Sequence, residues 1–218
     1  MLPLTTEHKL NMKPRKPLKQ SHPVYQQAEF ICSVPKMAGG PFDSGYEIAF
    51  AGRSNAGKSS AINRITHQTG LARTSKTPGR TQHLVFFKLD ETHRLVDLPG
   101  YGFAKVPGHM RQNWGQNMAQ YIEKRLALKG IILLMDIRHA MTDLDQQMLD
   151  WCDSLQRPVH ILLTKADKLK FGAAKTSLLK VQKMTGSYTQ VSAQMFSSKS
   201  GDGLEEVWSV LDKWNEYD

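Results

Sequence analysis

Long apolar runs are missing from this chain of 218 residues: the longest, Ile131 to Met135, has the length of a strand and falls far short of a membrane span. Cysteine is scarce. Cys32 and Cys152 lie far apart and in no metal-ligand spacing, which excludes a disulfide scaffold and reads as two ordinary buried or half-buried thiols in a reducing compartment. The eight histidines form no cluster resembling a zinc site. The first thirty residues hold no apolar core long enough for a signal peptide. A soluble cytoplasmic protein without membrane contact is therefore expected, and a monomer. No internal repeat and no RNA-recognition motif is visible.

Acidic charge is also short, with 20 Asp and Glu against 29 Lys and Arg, a net +9. Hydrophobic content of 40% suffices for the core of one domain with a short appendage. The appendage is the N-terminus. Before Tyr25, Lys9, Lys13, Arg15, Lys16 and Lys19 face only Glu7, among Pro3, Pro14, Pro17 and Pro23. Residues 1–24 thus read as a disordered or loosely attached basic extension, and 25–218 as the folded domain. A basic excess suits a polyanionic partner such as RNA; a plain solubility tail is the competing reading.

What the chain does have is Gly52-Arg53-Ser54-Asn55-Ala56-Gly57-Lys58-Ser59, which fits the P-loop pattern at every fixed position. The apolar Ile48-Ala49-Phe50-Ala51 precedes it as a buried strand, and Ser60-Ala61-Ile62-Asn63-Arg64-Ile65 follows as the first turns of a helix. In that setting backbone N–H groups wrap a phosphate chain and the helix N-terminus adds positive potential. Lys58 is expected to reach the β- and γ-phosphates, and the Ser59 hydroxyl to ligate Mg²⁺.

Three downstream segments select guanine. Asp97-Leu98-Pro99-Gly100 ends an apolar run, where Asp97 can hold Mg²⁺ through water and Gly100 can offer its N–H to the γ-phosphate. Thr164-Lys165-Ala166-Asp167 follows another. The Asp167 carboxylate would accept from guanine N1–H and the 2-amino group, whereas adenine would leave it unpaired. Phe196-Ser197-Ser198 ends a third strand and could set a backbone N–H on guanine O6. Each segment alone is weak; their order at the carboxyl ends of successive strands is specific, because ligands of open α/β sheets bind there.

Strands are expected near 28–33, 47–51, 83–89, 93–98, 130–136, 158–164 and 188–196, and helices near 58–67, 113–128, 143–155, 172–185 and 203–216. This alternation predicts an α/β fold, a three-layer P-loop G domain with a mostly parallel sheet and helices on both faces. The short connection Asp90-Glu91-Thr92 makes 83–89 a single antiparallel strand, expected at the edge. Trp114, Met118, Tyr121, Ile122 and Leu126 fall at helical spacing and read as core.

Several longer stretches are more specific: Gly52 to Ser60, Leu71 to Gln82, Leu95 to Gly102, Leu134-Met135-Asp136-Ile137-Arg138-His139 and Leu163 to Lys168. Together they resemble the bacterial EngB (YihA/YsxC) family of ribosome-biogenesis GTPases, within the TrmE-Era-EngA-EngB-septin-like superfamily, over about residues 25–215. The resemblance implies a Mg²⁺-dependent GTPase, bound to GTP or GDP, that acts on a large ribosomal subunit precursor and is required for normal cell division and septation. It implies nucleotide contacts from the P-loop through Ser60, from Gly79, Arg80, Thr81, Gln82 and His83, from Asp97 to Gly100, and from the segments 164–167 and 196–198. Lys58, Thr81 and Gly100 are the catalytic assignments. Thr81 matches the switch threonine that binds Mg²⁺; its place just before the strand His83-Leu84-Val85-Phe86-Phe87 agrees, with Thr74 and Thr77 as rivals in the same loop. Gly70, Pro78, Gly79 and Pro99 suit the mobile connections of a nucleotide switch.

Two departures from the general GTPase pattern stand out. Thr164 replaces the usual Asn, leaving a hydroxyl either to bond guanine N7 or to brace the loop. Tyr101 follows Gly100, where Ras-like proteins carry a water-orienting Gln. Val191-Ser192-Ala193 imitates the last guanine motif but lies inside a predicted strand. Asn55 sits where some related GTPases hold K⁺; the alternative is that its amide braces the loop. Against the GTPase reading stand a P-loop phosphotransferase, in which Asp167 would have no role, and a scaffold that binds GTP without turnover.

Overall fold

The computed structural model describes residues 22–73, 83–101 and 108–217. Seven strands form one sheet: β1 (Glu29–Val34), β2 (Tyr46–Gly52), β3 (Leu84–Lys88), β4 (His93–Asp97), β5 (Leu128–Asp136), β6 (Val159–Thr164) and β7 (Val191–Met195), in the order β1-β3-β4-β2-β5-β6-β7. The helices are α1 (Pro23–Gln26), α2 (Lys58–Ile65), α3 (Gly108–Lys124), α4 (Asp143–Ser154), α5 (Phe171–Met184) and α6 (Leu204–Asn215).

Strand β2 is central and parallel to both β4 and β5, and the parallel run continues through β6 to β7. Side chains alternate with a period of two, so each inner strand feeds two cores. On one face Ala49, Ala51, Ile131, Leu133, Ile161 and Leu163 pack with Tyr121 of α3, Leu149 of α4 and Val181 of α5. On the other, Ile48, Phe50, Ile132, Leu134 and Leu162 pack with Ile62 and Ile65 of α2 and Val207, Trp208 and Leu211 of α6. The three layers expected from the alternation are therefore present.

Strand β3 is the one that runs against its neighbours, as expected, but it is not the edge. β1 pairs with it antiparallel and takes the outer place. The register of β1 slips between Phe30 and Cys32, and the extra residue, Ile31, is exposed together with Phe30. A bulge of this kind bends an edge strand and discourages further pairing.

Two boundaries also differ from expectation. Residues 22–24, which charge alone assigns to the extension, belong to the fold. Tyr25 is buried and donates to Asp212 at 2.7 Å, while His22 Nε2 lies 3.1 Å from the same carboxylate. Helix α3 stops at Lys124, because the Asp43 carboxylate takes the N–H groups of Leu126 and Ala127 and turns the chain into β5. Leu126 is consequently 76% exposed rather than core, whereas Met118, Tyr121 and Ile122 are buried. Trp114's side chain lies outside the described residues. Of the two thiols, Cys32 is half-buried and Cys152 fully buried; burial pushes the latter up to about 12, so it stays protonated at neutral pH.

A buried ion-pair network locks the amino end of the sheet. Glu47, wholly inaccessible, accepts from Arg125 Nε at 2.9 Å and its terminal nitrogen at 2.6 Å, from Arg94 at 3.1 Å and from Tyr121 at 3.1 Å. Arg125 also donates to the carbonyls of Pro41 and Phe42.

Candidate nucleotide site

The carboxyl ends of β2, β4, β5 and β6 lie side by side, and the loops that leave them carry the candidate residues. After β2 the chain must turn tightly. A β-carbon at Gly52 would sit 2.7 Å from the Leu134 carbonyl oxygen, so glycine is required there by contact. Asn55 and Gly57 take left-handed φ values of 64° and 95°, the second as the residue that starts α2. Lys58, Ser59 and Ser60 then form the first turn of that helix, whose backbone N–H groups have no intrahelical partner. This is an anion-binding arrangement.

The loop is stitched down on three sides. Ser54 N–H donates to the Tyr101 carbonyl and Tyr101 N–H to that of Gly52, both at 3.2 Å. The Thr164 hydroxyl is shared between the carbonyls of Ala56 at 2.5 Å and Met135 at 3.1 Å. Lys165 Nζ donates to the Asn55 carbonyl at 2.7 Å. Of the two roles open to Thr164, the structure therefore gives bracing: the hydroxyl is buried against the phosphate loop.

Lys58 and Asp97 form an ion pair, with side chains 13% and 8% exposed. Asp97 ends β4, and Pro99 and Leu98 behind it are buried. A β-carbon at Gly100 would lie 3.1 Å from Ser54 Oγ, so the segment after Asp97 runs close against the phosphate loop. The hydroxyl of Ser59 and the carboxylate of Asp97 are hard oxygen donors flanking Lys58, a set that fits Mg²⁺. Among the described residues no group of three His, Cys, Asp or Glu could hold a metal.

Beyond β6, Asp167 sits in a single helical turn, Ala166–Lys168, entered through a left-handed Lys165 at φ 59°. Ser197 Oγ donates to Asp167 Oδ1 at 2.7 Å. Ser197 is itself buried and held by its N–H to the Asp202 carbonyl at 3.0 Å, while Ala166 N–H bonds the Phe196 carbonyl. The segments 164–167 and 196–198 are thus brought together. Ser192, the imitation, bonds His160 in the middle of the β6–β7 pair. His83 meets Ser33 of β1 at 3.1 Å and no residue of the phosphate loop among those described. Gly79, Arg80, Thr81 and Gln82, with the rivals Thr74 and Thr77, lie outside the described residues.

Two groups went unassigned in the sequence. Asp136, at the end of β5, accepts from Arg138 Nε and a terminal nitrogen at 2.9 and 2.6 Å and from Lys165 at 2.9 Å. The Arg138 guanidinium, reinforced by Lys165, holds the Asp136 carboxyl well below the usual carboxylate range. It is the anchor that aims Lys165 at the phosphate loop; the Asp136-x-Arg138 spacing was the available signal. Asp145 is the second. It accepts from Tyr101 Oη at 3.0 Å and from Thr142 N–H and hydroxyl at 3.0 and 2.8 Å, closing the first turn of α4. Tyr101 is therefore buried and turned inward, and burial followed by the Asp145 charge raises its phenol far above its ordinary value. A cleft of about 290 Å³ opens between Arg53–Ala56, Asp136, Arg138 and Lys165.

Comparison with known proteins agrees with this geometry. A family described as "50S ribosome-binding GTPase" matches residues 47–165. A probable GTP-binding protein EngB of Hydrogenovibrio crunogenus is 55% identical over 198 residues, 90% of this chain and 93% of the relative. One from Vibrio parahaemolyticus is 54% identical over 191 residues, 87% of each chain. A crystal structure of a probable GTP-binding protein engB superposes with a TM-score of 0.64 at 22% identity, covering 79% of this chain and 100% of the other. None of the described helices is long and apolar enough to cross a membrane.

Proposed function

The chain belongs to the EngB family of GTP-binding proteins, which are P-loop GTPases, and on that footing we propose a slow cytoplasmic switch in large ribosomal subunit assembly, required for normal cell division and septation. The nucleotide part is carried by the placement of the Lys58–Asp97 pair and the Ser197–Asp167 pair beyond the carboxyl ends of the parallel strands of one sheet. The ribosomal part is supported by the description of the matching family and by the net charge of +9.

In this reading the first-turn N–H groups of α2 cradle the phosphates and Lys58 turns from Asp97 to the β- and γ-phosphates. Ser59 and Thr81 would hold Mg²⁺, with Asp97 reaching it through water, and the ion would supply neutralisation of charge on the phosphate oxygens. Gly100 offers its N–H to the γ-phosphate. Asp167, aimed by Ser197, reads guanine N1–H and the 2-amino group, with the backbone N–H of Ser198 on O6, that of Ser197 being held by Asp202. Lys58→Ala is expected to abolish tight binding of GDP and GTP alike. Thr81→Ala should spare GDP and weaken GTP–Mg²⁺; titration of both nucleotides decides, and equal losses in Thr81→Ala reject its switch role.

Hydrolysis by the isolated protein is expected to be slow, on the order of 10⁻⁴ s⁻¹ as in an unassisted Ras-type protein, because Tyr101 is held by Asp145 and brings no amide to the attacking water. The Asn55 side chain is exposed at the mouth of the loop, open to a cation, with bracing of the loop by its amide as the competing role. K⁺ there would offset transition-state charge as an arginine finger does. Single-turnover rates in KCl and NaCl, for wild type and Asn55→Ala, are the comparison. Fast turnover in NaCl overturns the slow switch; potassium stimulation that survives Asn55→Ala removes that residue.

Association with large subunits should be stronger with GTP than with GDP and fall steeply with salt, as phosphate neutralisation releases counterions. Deleting residues 1–21 should weaken it without changing GTP affinity. Sedimentation at several salt concentrations tests this; salt-insensitive binding, or none in either nucleotide state, sinks the ribosomal reading.

A further inference from the structure

The positive charge of the folded part is concentrated in one stretch. Residues 168–201 hold six lysines and no Asp or Glu, and outside this stretch and the extension acid and base nearly cancel. Helix α5 forms the centre of the stretch and packs beside β7, which is the far edge of the sheet. Its Ala174 and Val181 face the core, while Lys175, Leu179, Lys180 and Lys183 face solvent. Phe171 is 74% exposed at its start and Leu179 55% exposed midway. Among the described residues, Lys170, Lys175, Lys180, Lys183 and Lys199 have no carboxylate within 4.0 Å; Lys168 has only Asp167, at 3.9 Å.

A solvated helix face ordinarily interleaves acid with base, because i,i+4 pairs stabilise it and like charges do not. A face that forgoes acid altogether, and leaves a phenylalanine uncovered among lysines, is matched to a polyanion with flat apolar surfaces. Unpaired RNA bases stack on aromatic side chains, and lysines neutralise the phosphates between them. A lipid surface fits less well, since membrane-lying helices bury a continuous apolar stripe, whereas the exposed apolar side chains of α5, Phe171, Leu179 and Met184, are interrupted by Lys175, Lys180 and Lys183. We propose that the outward face of α5 is an RNA-docking surface, with Lys175, Lys180 and Lys183 on phosphates and Phe171 stacked on an unpaired base. It deepens the ribosomal reading above and rests on it. Because α5 follows directly on the turn that carries Asp167, RNA seated there lies against the base side of the nucleotide site.

The test uses the full-length chain, a fluorescent RNA hairpin with a single-stranded loop, and anisotropy between about 50 and 200 mM KCl. The variant K175E/K180E/K183E is expected to lose more than about tenfold in affinity and to flatten the log–log salt slope by roughly two, the share of three single-strand phosphates. Gln at the same three positions should give a smaller loss with a similar change of slope. Phe171→Ala should cost about tenfold with the slope unchanged, as expected for lost stacking. GDP affinity and melting temperature should stay at wild-type values, and the Gln variant serves if the Glu variant melts early. Wild-type RNA affinity and slope in the triple variants overturn the α5 surface while leaving the ribosomal reading intact. Absence of RNA binding by the wild type in both nucleotide states removes that reading and this one with it. Preferential binding to phosphatidylglycerol vesicles, lost in the triple variants, replaces RNA by a membrane.

Discussion

Asp167→Asn is expected to weaken GTP binding by about 2–4 kcal/mol and to turn the protein toward xanthine nucleotides. The geometry predicts the direction. Ser197 Oγ donates to Asp167 Oδ1 at 2.7 Å, and in the variant the same hydroxyl would hold the amide oxygen. The amide NH₂ is then left facing the guanine 2-amino group, donor against donor, whereas xanthine keeps the N1–H and carries a carbonyl oxygen in place of that amino group. Titration of GTP and XTP against both proteins measures the exchange. Unchanged GTP affinity in Asp167→Asn would mean that the base is read elsewhere.

Arg125→Ala should destabilise the fold by about 3 kcal/mol, the lower end for breaking a buried ion pair, because Arg94 and Tyr121 still reach Glu47. The loss has two sources: a carboxylate left short of donors, and the uncovered carbonyls of Pro41 and Phe42. Urea denaturation of the wild type, Arg125→Ala and Glu47→Gln/Arg125→Met would separate them. Recovery in the double variant assigns the cost to the stranded charge, whereas a loss under about 1 kcal/mol in Arg125→Ala would show that the network is solvent-screened despite its burial.

The parts of this protein written in local pattern were readable from it. A P-loop needs a strand, two glycines and a helix within some fifteen residues, and each strand that delivers a candidate residue has its own apolar run. What could not be read depends on partners distant in the chain. The run at 28–33 announces a strand, but its place outside β3 depends on pairing with residues more than fifty positions away. The bracing role of Thr164 requires Ala56, 108 residues earlier. Charge put the domain boundary at Tyr25, yet His22 is held by Asp212, 190 residues on. Leu126 has helical spacing and is nonetheless exposed, since the competing acceptor for its N–H, Asp43, lies outside any window that periodicity inspects.

The contact between Tyr101 and Asp145 has a mechanical consequence. One carboxylate serves two masters: it closes the first turn of α4 and it receives the phenol of the residue next to Gly100. The backbone of that same tyrosine is tied to the phosphate loop through Gly52 and Ser54. Any displacement of Gly100 large enough to draw Tyr101 outward must uncover its hydroxyl and strip a donor from Asp145, a cost of about 1–3 kcal/mol per buried group left unpaired. Motion at Gly100 is thereby geared to the first turn of α4, and small shifts meet a detent rather than a smooth slope.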